Sequence, residues 1–119
     1  MVIEEYIESN LKYIVLSINF EHKEYGNEIR NNTKLEQDGY SCCWKVAENR
    51  KIDKVLLYIK NNNQKEIYIG DYDKREQCKD RKYKIYFSNL KLVDKIQTEW
   101  KDFVNNGVQL QTARKYVEK

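Results

Sequence analysis

The sequence predicts an α+β domain: a small, mostly antiparallel β-barrel or curved sheet with flanking helices. Three observations carry that prediction. Runs rich in β-branched and aromatic residues recur at Tyr13–Ile18, Val55–Ile59 and Ile67–Ile69, and Tyr83, Ile85 and Phe87 alternate with Lys82, Lys84 and Tyr86. Apolar residues at helical spacing stand near both ends, as Ile3, Tyr6, Ile7 and Leu11 and as Ile96, Trp100, Phe103 and Val104. The 119 residues, 40% apolar with no Pro and four Gly, suit one folded domain spanning 1–119 and exclude collagen-like and low-complexity classes.

The elements follow in order. Acids at Glu4 and Glu5 favour the start of a short N-terminal helix over 1–11. YIVLSI, from Tyr13 to Ile18, reads as a buried strand. Residues 19–39 are polar and weakly patterned, a long loop of the kind that often carries function. The strongest local signal is a hairpin pairing Val55–Lys60 with Lys65–Tyr72 across Asn61-Asn62-Asn63, since Asn tolerates left-handed turn conformations. In its second arm Ile67 and Ile69 point to one face, Tyr68 and Tyr72 to the other. Asp73 to Arg81 is charged and reads as a loop before a strand at Tyr83–Phe87 that Leu90 and Leu92 extend. A helix through Ile96, Trp100, Phe103 and Val104 stops at Asn105-Asn106-Gly107, and the tail returns as a strand or helix.

Charge is uneven. Residues 1–50 hold six Lys/Arg against nine Asp/Glu, net −3; residues 51–119 hold sixteen against ten, net +6, which together give the +3 of the whole chain. A basic second half can meet phosphate, although its cations are interleaved with acids as on an ordinary solvated face. No apolar run is long enough to span a bilayer, and Glu4, Glu5 and Glu8 stand where a secretory signal carries positive charge. Adjacent Cys42 and Cys43 with an odd Cys78 form no regular disulfide framework. A cytoplasmic location is expected.

The sequence reads as a binding module rather than a self-sufficient enzyme, and no cofactor is expected. Three Cys and the single His22 lack the paired spacing of a structural zinc site, and His22 alone offers a base for a cysteine nucleophile. Asp71, Asp73 and Lys74 echo the acids and lysine of metal-dependent nucleases without the acid-x-Lys element on a following strand. The four glycines are isolated, so no phosphate-binding loop is present. The aromatic set Tyr40, Trp44, Tyr58, Tyr68, Tyr72, Tyr86 and Trp100 is more informative. Trp100 falls on a helical apolar stripe. Trp44 precedes Lys45, Arg50, Lys51 and Lys54, where a planar base could stack with cations on its phosphates, or the ring could plug the core.

The order of these elements, with Lys51-Ile52-Asp53-Lys54-Val55-Leu56-Leu57-Tyr58 running into Glu66-Ile67-Tyr68-Ile69-Gly70-Asp71-Tyr72, resembles the PUA-like superfamily, particularly its EVE, ASCH and YTH-type domains. Their charged segment has the form x-Gly-Asp-x-Val-x-x-Tyr; here the Asp, Val and Tyr spacing is kept and Ile52 replaces the Gly. The resemblance covers roughly residues 13–103. It implies a PUA-like β-barrel with flanking helices and an aromatic pocket for a modified or flipped nucleobase. Carried onto this chain, Trp44 and Tyr58 would form the pocket while Arg50, Lys51 and Lys54 met the backbone of DNA or RNA. The competing expectation is a protein-interaction or inhibitor module of phage or mobile-element type, its partner a larger protein.

Overall fold

The computed structural model describes residues 2–19, 39–47, 49–61, 64–79, 82–105 and 114–119. The long loop expected over 19–39, His22 and the tip of the Asn-rich turn fall wholly or largely outside these residues, as do the cysteine side chains. Among the described residues six strands are present: β1 (Lys12–Asn19), β2 (Tyr40–Lys45), β3 (Lys54–Asn61), β4 (Gln64–Lys79), β5 (Lys82–Ile96) and β6 (Arg114–Glu118). They form one mixed sheet in the order β2-β5-β4-β3-β1-β6. Of these strands only β1 and β3 run parallel, in register from Tyr13↔Lys54 to Asn19↔Lys60.

The centre of this sheet follows from the apolar runs. Strands covered on one face alternate apolar and polar residues, whereas β1 and β3 carry unbroken apolar stretches, the pattern of strands buried on both faces. Ile14, Leu16 and Ile18 with Val55, Leu57 and Ile59 enter one apolar layer. Tyr13 and Val15 with Leu56 and Tyr58 enter a second on the opposite face. Burying a Val, Leu or Ile side chain is worth about 1.5–3 kcal/mol, so these two strands are the main apolar anchor. Ile3, Ile7, Phe103 and Val104 cover the second layer.

The first layer is covered by the sheet itself. Strand β4 has 16 residues, about 50 Å if straight, yet the longest dimension of the molecule is 33 Å. Four register shifts interrupt its pairing with β5; extra residues of this kind bend and twist a strand. The far halves of β4 and β5, with β2, therefore curl back, and Ile85, Phe87, Val46 and Ile52 join the layer of Ile14 and Leu57. The curl brings the two sheet edges close: the Ala47 N–H, just beyond β2, donates to the Tyr116 hydroxyl of β6 at 3.1 Å. No strand pairing joins β2 to β6 among the described residues, so the sheet stays open.

Two sites hold the bend. At the Ile69/Asp71 register shift, Gly70 lies so near β5 that a Cβ there would sit 2.9 Å from the Ser88 carbonyl oxygen. Opposite it Asn89 takes a left-handed φ of 53°. On the other side, Asp53 binds the start of β1 through Asp53 N–H to Lys12 O (2.7 Å) and Lys12 N–H to Asp53 Oδ2 (2.9 Å). Its carbonyl accepts from Tyr72 N–H of β4 at 3.1 Å.

The α+β barrel with flanking helices is thus corrected to a mostly β, open, mixed sheet. The N-terminal segment makes only a 3-10 turn, Ile3–Glu5; its apolar spacing serves to bury Ile3 and Ile7, not to build a helix. Among the described residues one α-helix occurs, α1 (Trp100–Asn105), six residues long, and Ile96 belongs to the end of β5. The charged stretch from Asp73 onward is no loop through Lys79: it continues β4, because its pairing with β5 supplies the backbone partners that its polar side chains do not advertise. The hairpin is present as β3–β4, from Lys54↔Asp71 to Asn61↔Gln64, with Ile67 on the second layer and Tyr68 on the first. No helix of the described residues is long and apolar enough to cross a membrane.

Because a methyl group at position 70 would meet backbone rather than a flexible side chain, Gly70→Ala is expected to destabilise the fold by about 1–3 kcal/mol. Chemical denaturation of the two proteins checks this; an unchanged midpoint would show that β5 can shift freely at Ser88.

Candidate nucleic-acid interface

Trp44 and Tyr58 are not brought together. Trp44 lies on β2 opposite Tyr83 and packs, half-buried, against the first layer, its indole N–H donating to the buried Ser41 hydroxyl at 2.7 Å. Tyr58 is fully buried in the second layer, on the other face of the sheet. Its hydroxyl donates to the Thr98 carbonyl at 2.7 Å and its ring lies 5.3 Å from Trp100 and 5.4 Å from Phe103. The two rings line no common pocket.

The three cations expected around that pocket are also dispersed. The Arg50 guanidinium lies 4.2 Å from the centre of the Tyr116 ring, and the Arg50 carbonyl accepts from Arg75. Lys51 is exposed. Lys54 pairs with Asp71 at 2.5 Å, and Asp71 also accepts from the Asn89 amide at 2.9 Å. Those hydrogen bonds raise the Lys54 pKa and lower that of Asp71. Asp73 accepts from the Ser88 hydroxyl at 2.9 Å. The acids that invited comparison with a nuclease thus bind the bend between β4 and β5.

A different aromatic and basic surface emerges from the strand register. On β5, Ile85 and Phe87 are buried in the first layer and Tyr83 packs against it, so Lys82, Lys84 and Tyr86 point outward. Cross-strand partners share a face: Tyr40 and Lys45 of β2 pair with Tyr86 and Lys82, and Lys74 and Glu76 of β4 pair with Tyr86 and Lys84. The Tyr40 and Tyr86 rings are 5.4 Å apart, tilted by 41°. The Lys74 ammonium lies 4.8 Å from the Tyr86 ring and that of Lys84 5.0 Å from Tyr40. Two tyrosines therefore stand among four lysines, with Glu76 the acid on the same face among the described side chains. Alternation in the sequence exposes the β5 half of this surface; Tyr40 joins it only through the β2–β5 register, which no local pattern reveals.

Along the same side of the sheet, nearer α1, lies an open cleft of about 430 Å³. Tyr6, Lys54, Ile69 and Asp71 line it, with Lys91 and Val93 of β5 at one wall. The Tyr6 hydroxyl closes one side by donating to Asp94 at 2.7 Å, a bond that lowers the Asp94 pKa. No family model, curated protein or solved structure matches this chain.

Burial, followed by the nearby charges of Glu99 and Asp102, pushes the Tyr58 hydroxyl well above the usual tyrosine range. The unfolded chain ionises this group near pH 10, while the fold holds it neutral. Its contribution to stability is complete below that pH and declines as pH rises through and beyond it. Tyr58→Phe should cost about 1 kcal/mol at neutral pH through the lost bond to Thr98 and should lose stability less steeply than wild type above pH 10. Denaturation midpoints across that range test the slope; parallel profiles would show that Tyr58 ionises in the fold as freely as outside it.

Proposed function

We propose that the chain is a nucleic-acid-binding module that holds single-stranded DNA or RNA on the outer face of β4, β5 and β2. The observation that carries this reading is the Tyr40–Tyr86 pair set between Lys74 and Lys84. Bases stack on aromatic side chains in any sequence because every base has a π-face, and lysines beside the rings meet the phosphates that flank a stacked base. Stacking on the two rings and charge on the lysines favour no particular base, so the expected binding is sequence-tolerant. A Trp44–Tyr58 pocket for a modified base has no part in it, since those rings occupy opposite faces. A cytoplasmic location accords with a chain whose three cysteines form no regular disulfide framework.

The test is a titration of labelled single-stranded 12-mers of DNA and RNA at two salt concentrations. Tyr40→Ala and Tyr86→Ala should each weaken binding by about 1–3 kcal/mol. Lys84→Gln should weaken it less and lower the magnitude of the salt slope by about one unit. Undiminished affinity in folded tyrosine variants, or binding insensitive to salt, would reject the assignment.

A further inference from the structure

Strand register assembles the floor of the cleft beside β5. Partners across a sheet share a face, and Tyr13, Lys54 and Asp71 are successive partners on β1, β3 and β4. Two residues along, Leu56, Ile69 and Lys91 form the next row of that face. Tyr6 stands over the row beyond, its hydroxyl bound to Asp94, the partner of Ile67. The cleft over these rows measures about 430 Å³, a size that falls among small-molecule sites of about 300–1,000 Å³.

Its donors outnumber the acceptors that serve them. Tyr13 lines the cleft yet is only 2% exposed, and its hydroxyl accepts from the Glu8 N–H at 3.0 Å. The hydroxyl proton has no acceptor among the described residues. A buried donor in that state costs stability until an acceptor reaches it. Lys54 spends one of its three N–H groups on Asp71. Lys91 is exposed and makes no salt bridge or hydrogen bond among the described residues. Asp71 already accepts from both Lys54 and Asn89. Charge narrows the choice of ligand, because the two lysines of the lining are balanced by Glu8 and Asp71. One negative charge therefore suits the cleft better than the two of a phosphate monoester. Ile69 and Val93 supply apolar contact for the rest of the molecule.

We propose that this cleft binds a small aromatic or aliphatic monocarboxylate, its head accepting from the Tyr13 hydroxyl, Lys54 and Lys91 and its apolar body lying on Ile69 and Val93. The inference uses none of the residues of the nucleic-acid surface and stands or falls without it. The probe is benzoate, titrated into the isotope-labelled chain at constant ionic strength and followed by nuclear magnetic resonance, with phenyl phosphate and benzyl alcohol as comparisons. Benzoate should shift the amides of Gly70, Asn89 and Lys91 saturably. Benzyl alcohol, which has no charged head, should bind at least about tenfold more weakly, and phenyl phosphate should also bind less well than benzoate. Tyr13→Phe keeps the ring in the second layer and should weaken benzoate by about three- to tenfold while leaving benzyl alcohol unchanged. Lys91→Gln, exposed and outside the core, should fold normally and weaken benzoate by about threefold. Any of four results would overturn the proposal: no saturable shift with benzoate, shifts centred on Tyr40 and Tyr86 instead, benzyl alcohol or phenyl phosphate binding as tightly as benzoate, or undiminished benzoate affinity in Lys91→Gln.

Discussion

The two-sided burial of the parallel pair β1–β3 is the constraint on which the rest of the structure depends. Five apolar side chains from each strand are removed from water, and they leave on both faces of the sheet. Each face then requires its own cover. The chain meets the two demands differently, with α1 and the N-terminal turn on one side and the curled remainder of the sheet on the other.

That second solution explains the length and irregularity of β4 and β5. A flat hairpin of 16 and 15 residues would project far beyond β3, whose pairing with β4 ends at Asp71. Bending it over the first layer buries Ile85 and Phe87 and needs a close approach of the two backbones, which Gly70 permits. The polar residues at the bend are consumed in holding it: Asn89 and Lys54 on Asp71, Ser88 on Asp73, and Asp53 between Lys12 and Tyr72. Lys65, largely buried, is similarly matched to Glu99 at 3.1 Å, next to the segment that receives the Tyr58 hydroxyl.

The bend also distributes the functional surfaces. Turning Ile85 and Phe87 inward turns Tyr86, Lys82 and Lys84 outward, and the register with β2 adds Tyr40. Beyond its last described pairing with β2, β5 carries the exposed Leu92 and Val93, and Val93 lines the cleft. One long strand therefore contributes both to the aromatic and basic face and to the wall of the cleft.

The sequence by itself determined the central apolar strands and their faces: YIVLSI, VLLYI and the alternation from Lys82 to Phe87 state local preferences and burial in residue order, whereas β2, β6 and the far half of β4 are not legible in it. It likewise determined the β3–β4 hairpin, because an Asn-rich connection between two β-rich arms is a local event. It did not determine the fold class, since apolar spacing in the first eleven residues fits a helix as well as a turn that buries Ile3 and Ile7, and the charged stretch to Lys79 looks like a loop until β5 is beside it. The placement of Trp44, Tyr58, Arg50 and Lys54 was decided only by tertiary structure. Residues a few positions apart on strands and loops can end on opposite faces of a curled sheet, and Tyr40 and Tyr86, distant in the chain, become neighbours solely because β2 pairs with β5.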